Sequence, residues 1–259
     1  MKKDISQAVR EVCLWFPESE EVSSHGSPDF RVRGKTFATY AVNHHGDGRI
    51  ALWLNSPAGA QALYTGEEPK HFFVPPYVGP RGWLGVHLDK GITWKRIAKL
   101  VREAYEKVAP PALSEQLGKT LEIEPPTVTL APEAFDPMQS KRAQAALKAM
   151  RKICLALPET SEDKQFGMPV WRAGKKTFAW ISNYEQRLEL SFWVGAERQS
   201  LLTGDSRHRI PAYMGHNGWI ALEVAEHVTK SANWDEVREL AVYSYRHFAL
   251  KRMLAALGE

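Results

Sequence analysis

Only two of the 259 residues are cysteine, Cys13 and Cys154. That is too few to staple a secreted scaffold, so a reducing compartment is the expected setting. No apolar run approaches the ~20 residues that span a bilayer. The opening Met1-Lys2-Lys3-Asp4 leads into a mixed helix rather than the apolar core of a signal peptide. A soluble, cytoplasmic protein is the expectation. Excess charge is small as well, at +4, while 44% hydrophobic and 25% charged residues exclude wholesale disorder. A chain of 259 residues has room for two ordinary cores.

The small total hides an uneven distribution. Residues 1–109 carry +3, residues 110–138 carry −4 and residues 139–259 carry +5. These are two basic lobes and an acidic connector holding six of the 16 prolines. The lobes are copies of one another. At an offset of 141, residues 12–39 repeat with 12 identities in 28 positions, among them Cys13, Leu14, Pro17, Glu18, Gly26, Pro28, Arg31, Lys35 and Phe37. With small gaps, Trp53 falls on Trp193, Thr65-Gly66 on Thr203-Gly204, Gly82-Trp83 on Gly218-Trp219, and Tyr105 on Tyr245. A repeat of about 100 residues is a domain rather than a solenoid unit. The expected domains are therefore 1–109 and 139–259, with 110–138 as linker. Pro125-Pro126, Pro132 and Pro137 rule out a regular helix there, although Thr127 to Leu130 can lie against a domain as an added strand.

Periodicity gives the elements of each copy. Arg187 to Val194 and Arg49 to Leu54 alternate as half-buried strands. Thr36 to Val42 and Thr177 to Ser182 precede them, and Gly46-Asp47-Gly48 is a hairpin turn. A short helix follows, started by Ser56-Pro57 in the first copy and spanning Ala196 to Leu202 in the second. The last helix shows a stripe of Trp94, Ile97, Val101, Tyr105 and Val108, matched by Val237, Leu240, Ala241, Ser244 and Phe248. Asn233 with Glu236 reads as its capping box in the second copy. Leading helices at 6–16 and 140–156 stop at Pro17 and Pro158. The order of helix, three strands, helix, strand, helix is an α+β module, a two-layer packing of helices on an antiparallel sheet.

Catalytic chemistry finds little footing. Gly46-x-Gly48-x-x-Ala51 fits a dinucleotide loop, but a strand follows where the phosphates need a helix. His44 and His45, adjacent near a strand end, are expected to point to opposite faces and not to share a metal. The cysteines read as core thiols and Glu18 and Glu159 as turn residues. No enzyme, metal or cofactor is expected.

Cys-Leu-x-x-Pro-Glu, Phe166-Gly167-x-Pro169-x-Trp171, Gly174-Lys175-Lys176-Thr177-Phe178-Ala179 and Tyr213-Met214-Gly215-His216-Asn217-Gly218-Trp219 together resemble the MmcQ/YjbR family of small bacterial proteins, here in tandem. The first copy departs from this pattern at His25, at Ser27-Pro28-Asp29 and at Pro80-Arg81. The resemblance implies a curved antiparallel sheet, similar to the double-wing domain of the phage transcription factor MotA, and binding to double-stranded DNA. On that reading the phosphate and base contacts are Arg172, Lys175, Lys176, Arg207, Arg209, Tyr213 and His216, with Arg31, Lys35 and Arg81 in the first copy. Basic side chains beside aromatic ones suit such contacts. The alternative is a module that binds a protein or small ligand in a groove lined by Trp53, Trp193 and Tyr213. It calls for arginines paired within the fold, where the DNA reading calls for contiguous positive charge.

Overall fold

The computed structural model describes residues 2–184, 187–211, 214–224 and 234–258. The chain divides into two compact units, Met1–Phe135 and Asp136–Glu259. The first unit runs α1 (Ile5–Cys13), β1 (Ser19–Ser24), β2 (Ser27–Val32), β3 (Lys35–Val42), β4 (Ile50–Leu54), α2 (Ala60–Glu67), β5 (Phe72–Phe73), β6 (Leu84–His87) and α3 (Trp94–Val108). Two single-turn helices follow, α4 (Pro111–Ser114) and α5 (Pro132–Phe135). The second unit repeats the order as α6 (Lys141–Cys154), β7 (Thr160–Gln165), β8 (Met168–Ala173), β9 (Lys176–Tyr184), β10 (Arg187–Trp193), α7 (Ala196–Leu202), β11 (His208–Arg209), β12 (Trp219–Glu223), α8 (Trp234–Phe248) and α9 (Lys251–Ala256). Each unit holds one six-stranded antiparallel sheet, ordered β1-β2-β3-β4-β6-β5 and β7-β8-β9-β10-β12-β11.

Each sheet thus has two strands more than periodicity revealed. β1 (Ser-Glu-Glu-Val-Ser-Ser) is an edge strand too polar to announce itself, and β5 and β11 have only two residues. What makes β1 a strand is its turn. His25 and Gly26 both have positive φ, 51° and 75°, the requirement of a two-residue hairpin matched to strand twist. Phe166 and Gly167 repeat the geometry at 51° and 79°. The second short helix is as expected. The first begins at Ala60 behind Gly59 rather than at Ser56-Pro57, because Ser56 is still bonded to the end of β4. Asn233, and with it the expected capping box, lies outside the described residues.

The helices cover one sheet face. Val12, Cys13, Phe37, Leu52, Leu54, Ile97, Val101 and Tyr105 are buried together, as are Ile153, Cys154, Phe178, Leu190, Phe192, Val237, Leu240 and Tyr245. The other face is not simply wet, as half-buried strands would require. In the first unit Ala41, Ala51, Trp53 and Trp83 form a second small core, with Phe73 and Val78 packed on it. In the second, Glu189 and Ser191 of β10 are buried.

Three ties recur in both units. The Tyr105 hydroxyl donates to the Pro17 carbonyl (2.7 Å), and Tyr245 does the same to Pro158 (2.8 Å), fixing the closing helix over the end of the leading one. Gln61 Nε2 bridges the carbonyls of Gly79 and Trp83, and Gln199 those of Gly215 and Trp219. Arg10 clamps Glu21, and Arg151 clamps Glu162.

The connector follows the first unit as far as Phe135. Leu113, Leu117 and Ile123 pack on its core, and Thr127 and Val128 donate their amides to the Lys3 carbonyl without extending a strand. Its prolines do permit helix, one turn at a time: Pro111 and Pro132 each stand at a first helical position, where the missing amide costs no hydrogen bond.

Replacing Tyr105 or Tyr245 by Phe strands a carbonyl and is expected to cost about 1 kcal/mol. Urea unfolding of the full chain followed by circular dichroism should show a lower midpoint with unchanged slope.

Candidate nucleic-acid interface

Of the five arginines read as phosphate contacts, four are paired with carboxylates, Arg81 being the exception among the described residues. Arg31 Nη2 bonds Asp29 Oδ2 (3.0 Å), and Arg172 Nε bonds Asp163 Oδ2 (3.0 Å) while Nη1 reaches the Lys175 carbonyl. Arg207 is held by Asp205 (2.6 Å) and, from α8, by Glu236 (2.8 Å). Its guanidinium pulls the Asp205 carboxyl down to about 2. Arg209 grips Glu189 through both guanidinium arms, and the Glu189 side chain is 5% exposed. Arg207 therefore turns toward α8 and Arg209 toward the opposite sheet face, where Glu189 lies. The basic loop read from sequence is not one patch.

The lysines differ. Lys35 opens β3, Lys175 sits in the β8–β9 turn and Lys176 opens β9, all exposed. Arg81 and His216 are exposed in matching 3₁₀ turns, Gly79–Arg81 and Gly215–Asn217. Tyr213 lies outside the described residues. The expected sites thus scatter over two hairpin tips, two 3₁₀ turns and a set of closed ion pairs.

One basic surface went unnoticed in the sequence reading. Helix α6 carries Lys141, Arg142, Lys148, Arg151 and Lys152 and no acidic residue. At 100° per residue, Lys141, Lys148 and Lys152 fall within an arc of about 40°, along a line of roughly 16 Å. All three are exposed, and none has an ion pair among the described residues. The signal was legible as a 14-residue helix with five cations and no anion. Its counterpart α1 has one cation, Arg10, and one anion, Glu11, and both are paired.

The aromatic groove of the alternative reading does not assemble from matched positions. Trp53 is buried against His44, ring centroids 4.8 Å apart. Trp193 stacks instead on His247 of α8 at 3.4 Å, with Nε1 donating to the Asn217 carbonyl. His44 and His45 also depart from expectation. Their rings lie 4.0 Å apart rather than on opposite faces, because Asn43 and His45 take positive φ (47° and 53°) and break the strand alternation. Among the described residues, no three His, Cys, Asp or Glu side chains are grouped to hold a metal. Burial pushes both cysteine thiols up, away from thiolate, and no helix among the described residues is long and apolar enough to cross a membrane.

The family model described as YjbR matches residues 14–107 and 155–247, once in each unit. The chain belongs to the YjbR family. Among solved structures, the Deinococcus radiodurans protein DR2400, a DUF419 domain, is similar at 19% identity, covering 47% of this chain and 94% of its own, with a TM-score of 0.37. No curated protein matches. In this tandem YjbR chain the two free sheet faces have diverged: where the first module sets Arg49 over the Phe73 ring (4.4 Å), the second sets Glu189 against Arg209.

Glu189→Gln leaves Arg209 facing a neutral amide. It is expected to destabilise the second YjbR module by roughly 1–3 kcal/mol, less than a fully buried pair because Arg209 remains partly in water; the urea midpoint reads it. A second test concerns pH. Burial, and then the neighbouring His45, hold the His44 pKa below its ordinary 6.5. The unfolded chain therefore binds the proton more readily than the folded one. This contribution is complete above 6.5 and is lost as pH falls through the lowered folded value. Thermal melts from neutral pH downward should decline less steeply for His44→Gln than for the parent.

Proposed function

We propose that this YjbR tandem is a cytoplasmic, non-enzymatic protein that binds double-stranded DNA through phosphate contacts made by lysines of its second module. The observation that carries the reading is the exposed, unopposed line of Lys141, Lys148 and Lys152 on α6. Lys175 and Lys176 at the β8–β9 turn add free cations to the same module. Lysines present point charges that position a protein on phosphates without reading bases. Single strands ask in addition for aromatic platforms beside the cations, and α6 carries no aromatic residue. A duplex of mixed sequence is therefore the favoured partner, bound with little sequence preference. The two free, buried thiols suit a reducing compartment. The internally paired arginines favour the ligand-binding alternative over an arginine-based DNA grip.

Fluorescence anisotropy with a labelled duplex tests the proposal. Binding at ~10 μM protein and low salt should weaken steeply between ~50 and ~200 mM salt. Lys148→Ala/Lys152→Ala should reduce the log–log salt slope by about 2, one unit per lost phosphate contact. No binding at low salt, or a slope untouched by that variant, rejects the lysine stripe as a DNA surface.

A further inference from the structure

Helix α8 of the second module, with Arg198 of α7, flanks a shallow open groove of about 340 Å³ lined by Arg198, Arg238, Glu239, Val242, Tyr243 and Arg246. Among the described residues of the lining, three guanidiniums stand with the carboxylate of Glu239. Arg198 lies over the Tyr243 ring (4.5 Å) and so is placed before any ligand arrives, while Arg238 is paired with the exposed Asp235 (2.7 Å). Tyr243 in turn stacks alongside Trp193, which is anchored through the Asn217 carbonyl.

The first module supplies an internal comparison. Aligning the helices by Thr65 with Thr203 and by Tyr105 with Tyr245 sets Arg198 against Ala60 and Arg238 against Ala98. Glu239, Val242, Tyr243 and Arg246 then fall on Lys99, Arg102, Glu103 and Glu106. There the charges neutralise one another along the helix, as Lys99–Glu103 and Arg102–Glu106 pairs. The fold does not need a cationic groove at this place, since one copy is built without it.

We infer that the α7–α8 groove of the second module is a binding site for a compact oligophosphate. Guanidinium forks match phosphate oxygens in pairs, which Arg198 and Arg238 together exploit best with linked phosphates. The volume lies at the low end of the range for small-ligand sites. Because Arg198 already covers Tyr243 and Trp193 stacks beside it, the groove's available chemistry is its charge rather than a ring face for a base. The site is separate from the lysine line on α6 and does not depend on DNA binding.

Calorimetric titration of the full chain with inorganic tripolyphosphate at low salt tests it. Saturable binding is expected below about 1 mM. Arg198→Ala/Arg238→Ala should weaken it at least about tenfold, and Lys148→Ala/Lys152→Ala should leave it unchanged. Circular dichroism melts of both variants check that each is folded. Should the arginine variant lose its fold, single Arg198→Lys and Arg238→Lys variants, which keep the charge and remove the fork, should each still weaken binding. Absence of saturable binding, or equal loss in the lysine and arginine variants, overturns the assignment.

Discussion

Each module closes on one hydrogen bond between residues almost ninety positions apart. The phenol of Tyr105 reaches back to the carbonyl of Pro17, and Tyr245 to Pro158, four residues beyond the leading helices. Those helices end at Cys13 and Cys154 and so stop short of the expected 16 and 156. The tyrosine ring is buried against Phe37, or against Phe178 in the second module, so the bond forms at the edge of the apolar layer. Pinning the closing helix there determines which of its residues face the sheet. That leaves the remaining residues of α3 and α8 as free surface on which the modules can differ.

The two copies separate what the fold requires from what it tolerates. The Gln61 and Gln199 bridges, the Arg10–Glu21 and Arg151–Glu162 clamps and the positive-φ turns before β2 and β8 recur at matched places. The bridges tie a side chain to backbone carbonyls and the clamps tie side chain to side chain, and all of them are architectural. By contrast, Arg49 on Phe73 became Glu189 with Arg209, and self-neutralising pairs on α3 gave way to arginines on α8. Helix α1 balances its charges while α6 has only one sign. Divergence concentrates on exposed helix faces and on the sheet face away from the helices.

Much of the architecture was legible because period and repetition are local signals. The stripe Trp94, Ile97, Val101, Tyr105 names the buried face of α3 outright. β1 escaped because an edge strand of serines and glutamates carries no alternation, and only the φ values of His25-Gly26 explain it. The arginines misled for a different reason. Whether Arg209 is free depends on strand register, which brings β11 onto β12 beside the β10 strand that holds Glu189. No spacing in the sequence reports that neighbour, twenty positions away. The alignment of the α6 lysines needed no tertiary information, since helix period alone places them on one line.

The contrast between paired arginines and free lysines bears on how such a module could hold a polyanion. For Arg209 to take a phosphate it must leave Glu189, and that carboxylate, nearly sealed from water, would stay behind without it. The exchange replaces one charge-assisted pair with another and adds the cost of an uncompensated buried anion. An exposed lysine gives up only counterions and some side-chain freedom, and counterion release favours binding at low salt. Free lysines therefore outcompete buried-pair arginines as phosphate contacts even though a free guanidinium binds phosphate better. Arg238 of the α7–α8 groove falls between these cases, as do Arg172 and Arg207, because its partner Asp235, like Asp163 and Asp205, has a water-accessible side chain and can be re-solvated when the guanidinium turns to a ligand.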